Sequence, residues 1–132
     1  MMALCPACWR VVPIDATECP HCHVDMARLD QRPFREKLLG ALSHPDRDTV
    51  VRAAAALAGR QDPEVVHAVE SAIKRFSQEP HVVTELLNVL FDIDDEETRR
   101  IASDALKHPS FMVRRTATQL LEHLRQAQLE RR

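Results

Sequence analysis

All four cysteines of this chain fall within its first 22 residues, as Cys5-Pro6-Ala7-Cys8 and Cys19-Pro20-His21-Cys22. No other feature restricts the fold as tightly. Each Cys-x-x-Cys pair presents two sulfurs to one ion, and the ten residues between the pairs let the chain fold back and bring them together. Four thiolates in a tetrahedral array suit Zn²⁺. Iron accepts the same donors, and a Cys-x-x-Cys can also serve as a redox dithiol or close a disulfide. A redox role needs only one pair, and no thioredoxin-like βαβ pattern follows. The reading adopted is one structural Zn²⁺ per chain, held by Cys5, Cys8, Cys19 and Cys22. A shell closed by four protein ligands leaves no position for water or substrate, so the site is expected to be non-catalytic. His21 and His23 flank Cys22 and read as exposed neighbours of the ligands.

The rest of the chain excludes more than it specifies. Among 132 residues there are two glycines and no tyrosine, and aromatics reach 4%. Sandwiches and barrels need turn glycines and strand aromatics, and nucleotide-binding loops need more glycines than are present. A mostly helical body remains. No apolar run approaches the length of a membrane span, and the N-terminus shows no basic region followed by an apolar one. The expected compartment is therefore cytoplasmic, where thiols stay reduced.

Near Asp30 the composition changes character, from cysteines and prolines to long apolar-periodic segments cut by X-Pro steps. The expected division is a metal-binding module over 1–27, a linker over 28–33, a helical body over 34–127 and a frayed tail over 128–132. In the first module, Trp9-Arg10-Val11-Val12 and Ala16-Thr17-Glu18 are expected to pair as a minimal hairpin around Pro13-Ile14-Asp15. About 25 residues cannot bury a sufficient core, so metal should supply most of its stability. Trp9 reads as packing over the cysteines or helices, with partner contact the alternative.

Six helices are predicted in the body. They cover Phe34–Leu42, Asp48–Ala58, a segment opened by Asp62-Pro63, one opened by Glu79-Pro80, one opened by Asp94–Glu97 and one opened by His108-Pro109-Ser110. The fourth is apolar almost all round, so it should be central. Leu106 and the phenylalanines Phe34, Phe76, Phe91 and Phe111 are expected to point inward. Two segments repeat: His44-Pro45…Val51-Arg52…Ala55 and His108-Pro109…Val113-Arg114…Ala117. The Val-Arg pairs lie two periods of 31 residues apart, with Val82-Val83 halfway between. Arg52 and Arg114 are expected to bond neighbouring repeats or loop carboxylates.

Two resemblances follow from these residues. The stretch Cys5–Met26 resembles the short bacterial zinc-ribbon family, with Pro13 and Ala16 at its intermediate positions. It departs from that family at Trp9 and His23, where glycine is usual after each pair. Residues 34–126 resemble HEAT repeats, particularly the short HEAT-like variety named after phycobilisome lyases. The resemblance implies a short α-solenoid of about three repeats behind a zinc ribbon; a generic helical bundle is the alternative. It also implies protein binding, since solenoids present extended curved surfaces. HEAT-like relatives that hold di-iron use His-Glu pairs, and no histidine here precedes a glutamate.

No nucleophile constellation is recognisable either, and His67 with Glu70 reads as a surface pair. The function expected is that of a non-catalytic adaptor or scaffold. The second helix of each pair is expected over 63–76 and 95–107, whose polar faces carry the candidate partner contacts His67, Ser71, Lys74, Arg100, Ser103, Asp104 and Lys107. Trp9 joins them from the ribbon. The alternative function is nucleic-acid binding or transcription-associated regulation, through the ribbon and a basic edge of Arg99, Arg100, Arg114, Arg115 and Arg125. Against it stand the acidic charge of the ribbon and a 61–98 segment with two basic residues against ten acids.

Overall fold

The computed structural model describes residues 1–58, 62–91, 93 and 95–131. Two short strands, β1 (Met2–Leu4) and β2 (Val11–Pro13), pair antiparallel with Met2 opposite Pro13 and Leu4 opposite Val11. Val11-Val12 therefore pairs backward across the first cysteine pair, not forward with Ala16–Glu18. The Cys5–Cys8 turn is itself the hairpin turn. The Cys5 N–H donates to the Arg10 carbonyl at 3.0 Å and the Trp9 N–H to the Cys5 carbonyl at 2.8 Å. Pro13 has no N–H to extend a forward ladder, and the Ala16 N–H turns back to its carbonyl instead. The second pair is bracketed likewise, by a Glu18–Asp25 bridge and a Cys19 N–H to Val24 carbonyl bond of 3.0 Å.

Across the stretch expected as a linker, a short helix α1 (Met26–Asp30) is capped by the Asp25 carboxylate. The six predicted body helices then follow: α2 (Phe34–Ala41), α3 (Arg47–Leu57), α4 (Pro63–Arg75), α5 (Pro80–Val89), α6 (Glu96–Ala105) and α7 (Phe111–Glu130). Their starts are chemical. Carboxylates of Asp46, Asp62 and Asp95 accept first-turn N–H groups of α3, α4 and α6, satisfying donors the helix itself cannot. Proline at the first position pre-sets φ in α4 and α5. Of the acidic run at α6, Asp95 is the cap and Glu96 and Glu97 sit in the first turn, where the macrodipole favours them; Asp94 lies outside the described residues. Helix α7 continues to Glu130, beyond the expected end of the body.

The helices pack as three hairpins, α2–α3, α4–α5 and α6–α7, in two layers. In one layer α3, α5 and α7 stack closely, helped by the buried alanines Ala53, Ala54 and Ala117. In the other, α2, α4 and α6 touch only sparsely. The closer layer forms the inside of a curved stack and the splayed layer the outside. Helices α4 and α6 are thus the first members of their hairpins and lie on the outer layer, not the second members assigned from sequence. Helix α5 is central as predicted, packed against α3, α4 and α7, with Val82, Val83, Leu86, Leu87 and Val89 all buried.

Three inward assignments do not hold. Phe34 and Phe111 are each 69% exposed and Leu106 is 39% exposed. Each phenylalanine is the first residue of its helix, where the side chain has no preceding turn to lie against. Phe76 is buried and Phe91 packs at the edge of the core.

Candidate metal centre and interaction surface

The backbone turns bring the four cysteine sulfurs within 4.8 Å of one another. Cys5 and Cys22 are 3.7 Å apart, as are Cys8 and Cys19. A disulfide needs about 2.05 Å, so neither pair is bonded. A tetrahedron with metal–sulfur bonds of about 2.3 Å has edges of about 3.8 Å, which these separations match. Amide N–H groups of Ala7, His21 and Cys22 point at the sulfurs of Cys5 and Cys19, each at 3.4 Å, and such donors favour thiolate. The environment splits the thiols sharply. Burial opposes ionisation of Cys19, yet the N–H groups of Cys22 and His21 outweigh it and bring the thiol down to about 6. At Cys22 an N–H from Val24 favours the anion, but burial and the neighbouring sulfurs push the thiol up to about 12. Four adjacent thiolates repel one another, and a cation among them removes that penalty. The donor set therefore fits a metal ion.

Trp9 and His23, which stand where glycine was expected, both adopt left-handed backbone conformations, with φ of 60° and 64°. The turns are the tight ones glycine would make, built without glycine and therefore strained. His21 Nε2 lies 3.3 Å from the Val11 carbonyl, and His23 Nδ1 is 3.3 Å from Glu18. Both histidines sit beside the site, outside the cluster of four sulfurs.

The candidate partner contacts separate into two grooves on the splayed layer. Between α4 and α6 lies a cavity of about 220 Å³ floored by Ile73, Val83, Ile101 and Ala105 and rimmed by Lys74, Asp104, Lys107 and His108. Glu70, only 14% exposed, closes one wall, where Arg100 binds it at 2.8 Å and Lys74 lies 3.8 Å away. Arg100 also holds Glu97 and lies 3.5 Å from Asp104, and its bonds to Glu97 and Glu70 raise its already high pKa further. Arg100 is thus a tie between repeats more than a free contact. Between α2 and α4, His67 and Ser71 line a shallower groove with Leu39 and Ala68. Ser103 is exposed outside both, and Trp9 lies against His44 at the other end of the molecule. Glu70 and His108 were not among the candidates. The Glu70–Lys74 spacing of one helical turn was a legible signal, and Arg100 stands 30 residues on from Glu70, nearly one repeat.

The basic edge is largely occupied. Arg114 donates to the His108 and Pro109 carbonyls of its own turn, not to carboxylates. Arg125 pairs with Glu122 and Arg99 with Glu96. Arg52 is exposed, with no bond among the described residues. Among the described residues, no helix is long and apolar enough to cross a membrane.

No curated protein and no solved structure matches the chain. Residues 35–122 match the family model of HEAT repeats, the span over which three helical hairpins stack into two layers, and the chain belongs to the HEAT-repeat family.

Proposed function

We propose that the chain is a non-catalytic adaptor, whose HEAT repeats bind a partner protein while a structural Zn²⁺ on Cys5, Cys8, Cys19 and Cys22 holds the N-terminal ribbon. The observation that carries the binding half is the groove between α4 and α6. Its floor is apolar, its rim carries Lys74 and Lys107, and it lies on the splayed layer of a fold that generally mediates protein–protein interaction. An apolar anchor with a few polar groups at the rim is the ordinary anatomy of a specific contact. The zinc half is supported by the all-sulfur donor set and the 3.7 Å sulfur separations. Bound there, the ion would cross-link two turns and neutralise four thiolates; no reaction is assigned to it.

Affinity capture from native cytosol tests the binding half. Lys74→Ala with Lys107→Ala should lose a partner that the wild type retains, by roughly tenfold or more in affinity if both lysines meet complementary charge. Arg100 is left intact, because reversing it would set a carboxylate beside Glu70. Equal capture by wild type and double variant overturns the groove assignment. Salt-sensitive co-purification of nucleic acid would favour the alternative function.

A further inference from the structure

The turns at His44 and His108 are built alike. In each, the imidazole Nδ1 accepts the N–H two residues on, from Asp46 at 2.9 Å and from Ser110 at 3.0 Å. That bond fixes the ring at the entrance to α3 and α7. The other nitrogen of His108 lies 2.7 Å from the Ser77 carbonyl, 31 residues earlier, so this turn is tied to the preceding hairpin. His44 belongs to the first hairpin and has none before it. Trp9 stands in that place. Its ring centroid is 4.5 Å from that of His44 at 58° between planes. Its Nε1–H donates to the Ser43 hydroxyl at 2.8 Å, which in turn donates to the Gly40 carbonyl at 2.7 Å.

The cysteine turn aims Trp9 at this spot. Trp9 follows Cys8 directly, its N–H is bonded to the Cys5 carbonyl at 2.8 Å, and its φ is 60°. A bulky L-residue leaves that region when nothing holds it there. What holds it is the convergence of Cys5 and Cys8 on one centre.

We propose that the ribbon is the N-terminal cap of the repeat stack, and that metal occupancy of the four cysteines keeps Trp9 seated on the His44 turn, so that metal loss uncaps the first hairpin. The proposal rests on the reading of the cysteines as a metal site. With the sulfurs untied, the knuckle relaxes, Trp9 returns to an ordinary φ and its indole leaves the turn. Repeat stacks need an end unit that covers the first repeat; here that unit is conditional on metal. The ribbon thus reports its metal state to the α2–α3 end of the solenoid.

Trp9 is the only tryptophan, so indole fluorescence reads this joint alone. The full chain, loaded with one equivalent of zinc, is compared with the same protein under excess chelator, following emission and acrylamide quenching. Chelation should red-shift emission and raise the quenching constant by about twofold or more, as a half-buried indole becomes free. Zinc-loaded His44→Ala should show the exposed signal while its thiols stay protected from a thiol reagent. Ser43→Ala, which removes only one exposed hydroxyl, should move quenching part of the way at unchanged far-ultraviolet circular dichroism. Quenching unchanged by chelation overturns the proposal, as does a zinc-loaded wild type no better protected than both variants. Thiols that react at full rate in the zinc-supplied wild type would instead remove the metal reading beneath it.

Discussion

The ribbon and the solenoid are held together by different physics. Among the described residues, the ribbon buries only Cys5, Val12 and Cys19, with Cys8, Val24 and Met26 partly covered around them. The solenoid buries a continuous cluster running from Leu42 through Leu124. A segment with so little apolar area cannot offset the entropy of ordering its chain; the proposed ion on its four sulfurs would. The solenoid needs no such tie, because each hairpin buries its apolar face on the next. Residues pinned by a cross-link can sustain strain, and both left-handed non-glycine residues are in the ribbon. None is found among the described residues of the solenoid, where packing alone must hold each conformation.

Stripping the proposed zinc tests the contrast most severely. Metal binding in small zinc modules is worth about 10–16 kcal/mol, so chelation or Cys19→Ser should unfold the ribbon while the helical signal at 222 nm persists. Complete loss of helicity would show that the two regions form one cooperative unit. The next largest effect is expected inside the solenoid. Leu86→Ala empties a fully buried site on central α5 and should cost about 2–5 kcal/mol in denaturant unfolding, with one equivalent of zinc still bound. A variant that also loses zinc would couple the regions in the opposite direction.

Acid separates the regions further. The Arg35 guanidinium, an amide N–H and the Coulomb field hold Asp62 below the usual carboxylate range, and bonds from Thr49 do the same for Asp46. Both folded pKa values lie below their unfolded ones, so the unfolded state binds more protons in the interval between. The stability they add is present above about pH 4 and lost as pH falls through the folded values. Solenoid unfolding followed by helicity should show this decline, and Asp62→Asn should flatten it; an identical slope in the variant removes Asp62 as a source. The smallest effect is expected at the strained turn. His23→Gly should relieve about 1 kcal/mol of left-handed strain and slow zinc loss to a chelator. Faster loss would mean that the His23–Glu18 contact outweighs the backbone.

Much of this arrangement is readable along the chain because its causes are local. Helix starts follow from Asp62-Pro63, Glu79-Pro80 and the Asp95 cap, each acting within one turn. The centrality of α5 follows from its all-round apolar surface, and the cysteine cluster from donor type and spacing. The errors share a different origin. The Val11-Val12 strand had two available partners at similar distances, and only the closed Cys5–Cys8 turn selected β1. Phe34 and Phe111 are apolar, yet a first-turn position left them without a neighbour.

The body helices, the repeat spacing and the four sulfurs are legible in the chain alone, since periodicity, capping and ligand chemistry act over a few residues. Tertiary structure decided which helices pair, and so which layer α4 and α6 occupy. Residues one repeat apart share no local signal, so Arg100 on Glu70 and His108 on Ser77 became neighbours only when the hairpins stacked, and Trp9 met His44 only when the ribbon packed on the first of them.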